Sequence, residues 1–426
     1  MDVTQSATYD AVELLDAYAA GKLTALQVLQ SVTERIARRN PEINAFAAMN
    51  PAALTAARES SLRWHDGQAR VLEGVPVTVS DLIDVAGLPT RRGSKTTEST
   101  VARRDAPIVA VLRAAGAVII GKTNSSEFGW KYQGDNPLSG IIRNPWNTLH
   151  TAGGASGGAA AAAASFFAPL HIADAAACVA ASWNGVVGLK VGSMSENQGI
   201  ITRSVADIGL LSAILRGQIP IRHQNETLQG IKIGILRVPG VQASTSTAGW
   251  KALDQAKDIL QERGAIFSEI TLEAEGIEEA FLSLWKAKCL KDVQEIAVPQ
   301  RALLDPDLLK FTEQLKADRS VDEDKIQKIC SHVRKTIDDL KVDIILCPAV
   351  AQAAPLVTIE TPNPMRAMVE DWAPWTMLFT LAGQPALTLP VGVDGQGLPV
   401  SVQLAGKTRD DELIVRVAKV LEHGLG

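Results

Sequence analysis

Val75-Pro76-Val77-Thr78-Val79 and, further on, Ala117-Val118-Ile119-Ile120-Gly121 are the two stretches whose reading decides the fold. Each is a short β-branched apolar run, and the first is preceded by Gly74 and the second closed by Gly121, so each predicts a buried strand. Between them, Ala106–Ala115 repeats its apolar residues at helical spacing. Strand, helix, strand is the rhythm of a largely parallel α/β sheet.

Toward the N-terminus, residues 8–40 predict two amphipathic helices. Ala11, Leu14, Leu15 and Tyr18 share one face, and Leu23 to Ile36 repeats the pattern after Gly21. Thr24 with Gln27 three residues on has the form of a capping box. Glu42–Ala47 predicts a short strand, and Pro51–Asp66 an alanine-rich helix. Toward the C-terminus, Thr151-Ala-Gly-Gly-Ala-Ser-Gly-Gly158 is a glycine loop running into Ala159–Ala164. Alanine is the best helix former, so this is a loop feeding a helix. Ile231–Leu236 and Ala265–Ile270 predict strands around a helix over Ala248–Gly264, and charged helices occupy roughly 275–340. Val342–Leu346 and Ala386–Pro390 read as buried strands, and Asp410–Glu422 as a closing amphipathic helix. No linker or repeat interrupts the chain. The expectation is one α/β domain over 1–426, with N-terminal helices at 8–66, a core at 74–215 and a C-terminal portion at 228–424.

Composition narrows the function classes. The 426 residues carry 42 Lys+Arg against 47 Asp+Glu, are 46% hydrophobic and 21% charged, and so exclude a disordered, collagenous or disulfide-stapled chain. A net charge of −5 gives no electrostatic reason to expect nucleic acid or an anionic membrane as partner. No apolar run reaches about 18 residues, the length a membrane span needs. Six histidines show neither HxxxH nor HExxH spacing, and the four cysteines form no CxxC, so no metal is expected. The 153–158 loop lacks the lysine of a P-loop and is not GxGxxG, so no nucleotide cofactor is expected either. The spaced cysteines, and a start that leads straight into polar sequence, predict a reducing cytoplasm.

Further blocks narrow the reading. Gly74–Thr90, Gly93-Ser94, Gly121-Lys122-Thr123-Asn124 with Glu127-Phe128, and Asn144-Pro145-Trp146 come first. Gly153-Gly154-Ala155-Ser156-Gly157-Gly158 and Gly185-Val186-Val187-Gly188-Leu189-Lys190 follow, then Cys347-Pro348-Ala349, Gly383–Ala386, Gly397–Val400 and Gln403–Gly406. In this order, from about residue 8 to 423, they resemble the amidase signature family. The resemblance implies a single compact α/β domain with a large mixed β-sheet flanked by helices. It also implies amide hydrolysis by a Ser–cis-Ser–Lys triad. In such a triad a buried neutral lysine acts as base through a bridging serine, and a glycine-rich turn supplies the oxyanion hole.

The chain departs from that pattern at each element. Where the resemblance places the lysine stands Ser80, before Asp81, and a hydroxyl has no accessible basic form near neutral pH. Where it places the bridging serine stands Ala155, and only the second serine, Ser156, survives. The nucleophile block is shortened to Asp174-Ala-Ala-Ala-Cys178-Val-Ala-Ala-Ser-Trp-Asn-Gly185. Anchored on Pro169-Leu170 and Asp174, the nucleophile position falls at Cys178 or a neighbour; anchored on Gly185, it falls at Ala176. Both alignments lose the paired glycines. Asp174 at the start and Asn184-Gly185 at the end predict a helix in place of the oxyanion turn.

The candidate catalytic residues are therefore Cys178, with His171 seven residues upstream as a conceivable base, and Ser156 as a displaced nucleophile. The competing reading of Cys178 is a small core cysteine. Lys122 and Lys190 fall in blocks where the family has no triad base, and read as structural. Asp81, Gly153, Gly154, Asp174, Trp130, Tyr132 and Trp183 are the expected pocket residues. The lost lysine and added methyl groups predict an apolar pocket suited to a neutral small molecule. Three functions follow: a repurposed family member that keeps its pocket without hydrolysing amides, an amide hydrolase rebuilt on Cys178, or a structural component of an amidotransferase-like complex. The expected partners are a small-molecule ligand or substrate and, through the N-terminal helices, a second copy or a partner protein.

Overall fold

A computed structural model describes residues 3–174, 177–191, 198–218, 220, 227–241, 243–315, 322–358 and 371–426. The N-terminal layer is helical, with α1 over Ala11–Ala19 and α2 over Ala25–Ile43. The Thr24 side chain accepts from Gln27 N at 3.2 Å and Gln27 reaches back to Thr24 N at 2.9 Å, so the capping box forms. Strand β1 covers Phe46–Met49, later than the expected 42–47. The amphipathic repeat carries α2 on to Ile43, and Asn44 stops it in the left-handed conformation, φ 60°. Helix α3 spans Ala53–His65.

The predicted strand–helix–strand unit is present as β2 (Pro76–Ser80), α4 (Pro107–Ala115) and β3 (Val118–Thr123), with β2 and β3 parallel. A small hairpin, β4 (Asp135–Asn136) and β5 (Gly140–Ile141), precedes α5 (Gly157–Ala164) and β6 (Leu170–Asp174). Next come α6 (Ala177–Asn184), β7 (Val187–Lys190), β8 (Gln198–Thr202) and α7 (Val205–Leu215). The C-terminal portion adds β9 (Lys232–Leu236), α8 (Thr247–Glu262), β10 (Ile266–Ile270), α9 (Ile277–Gln294), α10 (Pro306–Leu315) and α11 (Glu323–Asp338). Strand β11 (Ile344–Pro348), a helix over Pro374–Ala382, β12 (Ala386–Val393), β13 (Pro399–Gly406) and a closing helix over Asp411–Leu425 complete it.

Eleven strands form one sheet in the order β1-β3-β2-β6-β8-β7-β12-β13-β11-β9-β10. Pairings β2/β3, β2/β6, β9/β11 and β9/β10 are parallel and the others antiparallel, so the sheet is mixed rather than largely parallel. One face is covered by α4, α7, α8 and the closing helix, through Leu112, Leu211, Leu260 and Val417. On the other, α5 and α6 lie against the strands through alanines. Only small side chains fit there: a Cβ added at Gly188 would meet Ala181 Cβ at 2.6 Å. The alanine run is therefore a packing requirement of a helix buried along all but its last residue, Ala164. No helix among the described residues is long and apolar enough to cross a membrane.

Candidate functional site

The site lies where β6 gives way to α6. Asp174, expected to cap the helix, instead ends β6, and α6 starts at Ala177; Ala175 and Ala176, the second a candidate nucleophile position, fall outside the described residues. The glycine loop comes up beside it. The Gly154–Ala155 peptide is cis, and Ser156 Oγ accepts from Asp174 N at 2.9 Å. Gly129, at φ 70°, approaches so closely that an added Cβ would meet Ala155 and Leu82 at 3.1 Å each.

These segments form the floor of a cavity of about 470 Å3. Ala155, Asp174, Cys178 and Val179 line it from the core, and Leu82, Phe128, Gly129 and Tyr132 from the loops after β2 and β3. Helix α9 closes one side with Phe281, Leu284, Trp285 and Lys288. Thr376, Thr380 and Leu381 close another. The α9 wall comes from a stretch that sequence reading treated only as a charged surface helix. No short-range signal marks it, because Phe281, Leu284, Trp285 and Lys288 acquire a common face only through α9's helical turn and its docking.

Cys178 is 4% exposed, and its thiol lies 3.6 Å from the Ala386 carbonyl oxygen. Burial pushes its pKa up, against the opposing pull of Thr388 and Lys190. His171 does not serve it. Its Nδ1 is 2.7 Å from Thr78 Oγ1 and its Nε2 2.9 Å from the Ala168 carbonyl, and burial drives its pKa down to about 3. Lys190 is buried and donates to the Gln384 carbonyl at 3.1 Å; desolvation lowers its pKa while Cys178 and Asp411 oppose. The amine in the wall, Lys288, is held at the rim by the Phe128 carbonyl at 2.6 Å and Asp292 at 2.7 Å.

Several residues singled out in the sequence do not line the cavity. Ser80 is buried and its Oγ accepts from Leu82 N at 3.3 Å, without lining the cavity. Asp81 forms a buried ion pair with Lys122 at 3.2 Å. Burial pushes the Asp81 carboxyl up and the Lys122 amine down, each resisted by its partner. Ser156, Gly153 and Gly154 are not among the residues that line the cavity. Trp130 and Trp183, expected at the pocket, do not line the cavity: Trp130 stacks on Phe311 at 6.2 Å, and Trp183 meets Trp372 edge-on and donates to the Gln352 carbonyl at 2.9 Å. Both are core aromatics, because their indoles are large enough to fill gaps between layers.

A buried polar cluster behind Phe128 escaped sequence reading. Glu127 accepts from Ser94 Oγ at 2.6 Å and from Asp305 N at 2.7 Å, while Lys131 pairs with Asp305 at 2.7 Å and Asp135 at 2.8 Å. It fastens the segment leading into α10 to the core beside the cavity. Burial, the largest cause, raises the Glu127 carboxyl to about 7. A carboxyl raised in the native state binds more protons there than when unfolded, so its contribution is present at low pH and declines from the unfolded value up to 7. Stability is expected to fall across pH 4.5–7 by on the order of 3 kcal/mol at most from this group. Denaturation at several pH values checks it: Glu127→Gln should flatten the decline, and an unchanged slope would refute the assignment. No group of three or more His, Cys, Asp or Glu among the described residues is placed to hold a metal.

An eleven-stranded mixed sheet, carrying a cavity between a glycine loop, a strand end and an alanine helix, defines an α/β protein of amidase type. The family model described as Amidase matches residues 27–415, and the chain belongs to that amidase signature family. It is 26% identical to a putative amidase, AmiC, of Mycobacterium tuberculosis (strain ATCC 25618 / H37Rv), over 97% of this chain and 94% of the relative. It is 28% identical to a glutamyl-tRNA(Gln) amidotransferase subunit from Paenarthrobacter aurescens, over 97% of this chain and 92% of that one. A crystal structure of an amidase superposes with a TM-score of 0.87 at 26% identity, covering 98% of this chain and all, 100%, of the other.

Proposed function

We propose that this family member binds a neutral small molecule in its cavity and does not hydrolyse amides by the family's triad. The observation that carries the reading is the cavity floor itself. Ala155 and Cys178 line the same cavity, the first contributing only a methyl group, and the described lining holds no imidazole and no lysine other than Lys288, which is tied up at the rim. A thiol raised by burial, with a carbonyl oxygen as its neighbour, is not poised as a thiolate. The aromatic and aliphatic walls favour an apolar body, and a carboxylate would face Asp174 without a free cation. The four free cysteines suit a reducing cytoplasm.

A second reading has an observation of its own. Cys178 lines the same cavity as Ala155, as a rebuilt nucleophile would. One experiment separates the two. Turnover is measured on aliphatic and aryl amides and esters, with the parent chain and with Cys178→Ala. The expected result is no turnover above the uncatalysed rate for either. Robust hydrolysis that Cys178→Ala abolishes would replace the first reading by the second.

A further inference from the structure

Tyr132 is 6% exposed and lines the cavity, yet no group among the described residues hydrogen-bonds its hydroxyl. A phenol that faces a cavity without a protein partner is available to donate to whatever occupies that cavity. Its ring lies 6.1 Å from Trp285, which stacks on Phe281 at 5.8 Å and 25°. Aromatic faces and the unpaired phenol thus bound the same space, with the unpaired Trp285 indole N–H in the same wall. We propose that Tyr132 anchors the ligand, donating its phenol hydrogen to the carbonyl oxygen of a neutral aromatic compound held against Trp285 and Phe281. This rests on the ligand-binding reading above.

The alternatives fit less well. An anionic ligand would meet Asp174 in the wall, and Lys288 is already engaged with Asp292 and the Phe128 carbonyl. A purely hydrocarbon ligand would leave the phenol unpaired. Burial, with Asp174 and Cys178 nearby, also moves the Tyr132 pKa above its ordinary value, so the hydroxyl stays a donor at neutral pH.

The test uses the full chain and two probes of nearly equal shape, acetophenone and α-methylstyrene, of which only the first has a carbonyl. Binding is followed by tryptophan fluorescence, Trp285 being in the wall. Tyr132→Phe is expected to weaken acetophenone about tenfold and to leave α-methylstyrene within about twofold, since the ring remains and only the hydroxyl is lost. Equal effects on both probes, or none on either, would overturn the anchor while leaving the cavity reading intact. Failure of both probes to bind the parent chain would overturn the cavity reading and the anchor with it. Should the variant not fold, the infrared carbonyl stretch of acetophenone on the parent chain decides. A shift to lower frequency than in hydrocarbon solvent supports the bond, and an unshifted band refutes it.

Discussion

The double variant Ser80→Lys/Ala155→Ser is expected to hydrolyse amides no faster than the parent chain. On the proposed reading, the two changes supply the base and the bridge that the family pattern has at these positions, and Cys178 lines the same cavity as Ala155. What they do not restore is the means of stabilising a developing oxyanion. Glycines allow a turn whose backbone N–H groups converge on one point, and this chain has alanines leading into α6, which is helical from Ala177. Losing even one oxyanion donor costs about 10²–10³ in kcat. Triad members also act as a unit, so partial restoration recovers little. The measurement is initial rate on an aryl amide, alongside a thermal melt confirming that the lysine is tolerated at a site 1% exposed. Substantial turnover would show that a working oxyanion turn precedes α6 and would end the proposed reading of binding without hydrolysis.

Asp81→Ala should be the most destabilising single change near the site. Lys122 is fully buried, and Asp81 supplies its countercharge at 3.2 Å. Thr90 Oγ1 at 2.7 Å and the Pro89 carbonyl at 3.2 Å would remain, but neither is charged. Breaking a buried pair from one side typically costs about 3–5 kcal/mol. The carboxylate also accepts from Arg91 N at 3.2 Å and Gly93 N at 3.3 Å, which would lose their partner. Urea denaturation is expected to show a loss of about 3 kcal/mol or more, with the double change Asp81→Leu/Lys122→Met markedly milder. A loss below about 1 kcal/mol, the size of an exposed pair, would mean that the pair is not held dry. Ligand binding by the folded fraction should persist, since neither residue lines the cavity.

The contrast between Asp81 and Tyr132 shows how site and scaffold divide. Asp81 sits in the most recognisable block of the chain and serves packing, holding the loop after β2 against β3. Tyr132 was one aromatic among three expected at the pocket, and it is the one that lines the cavity. Nothing in the local sequence separates it from Trp130, two residues earlier, which turns away toward Phe311.

What the residues determined unaided is whatever depends on near neighbours. Valine and isoleucine runs made β2 and β3, the Thr24/Gln27 pair started α2, and the alanine run made α5. The expectation that Ser80 and Ala155 depart from the family pattern rests on the same kind of signal, because a motif block is a local pattern. Tertiary structure alone decided that the sheet is mixed, that His171 spends both ring nitrogens on Thr78 and Ala168, and that α9 forms a cavity wall. It also turned Trp130 and Trp183 into core and Tyr132 into lining. The reason is physical: a backbone hydrogen bond or cap links residues a few positions apart. A cavity wall is instead assembled from segments such as 128–132, 174–179 and 281–288, whose spacing along the chain records nothing of how closely packing brings them together.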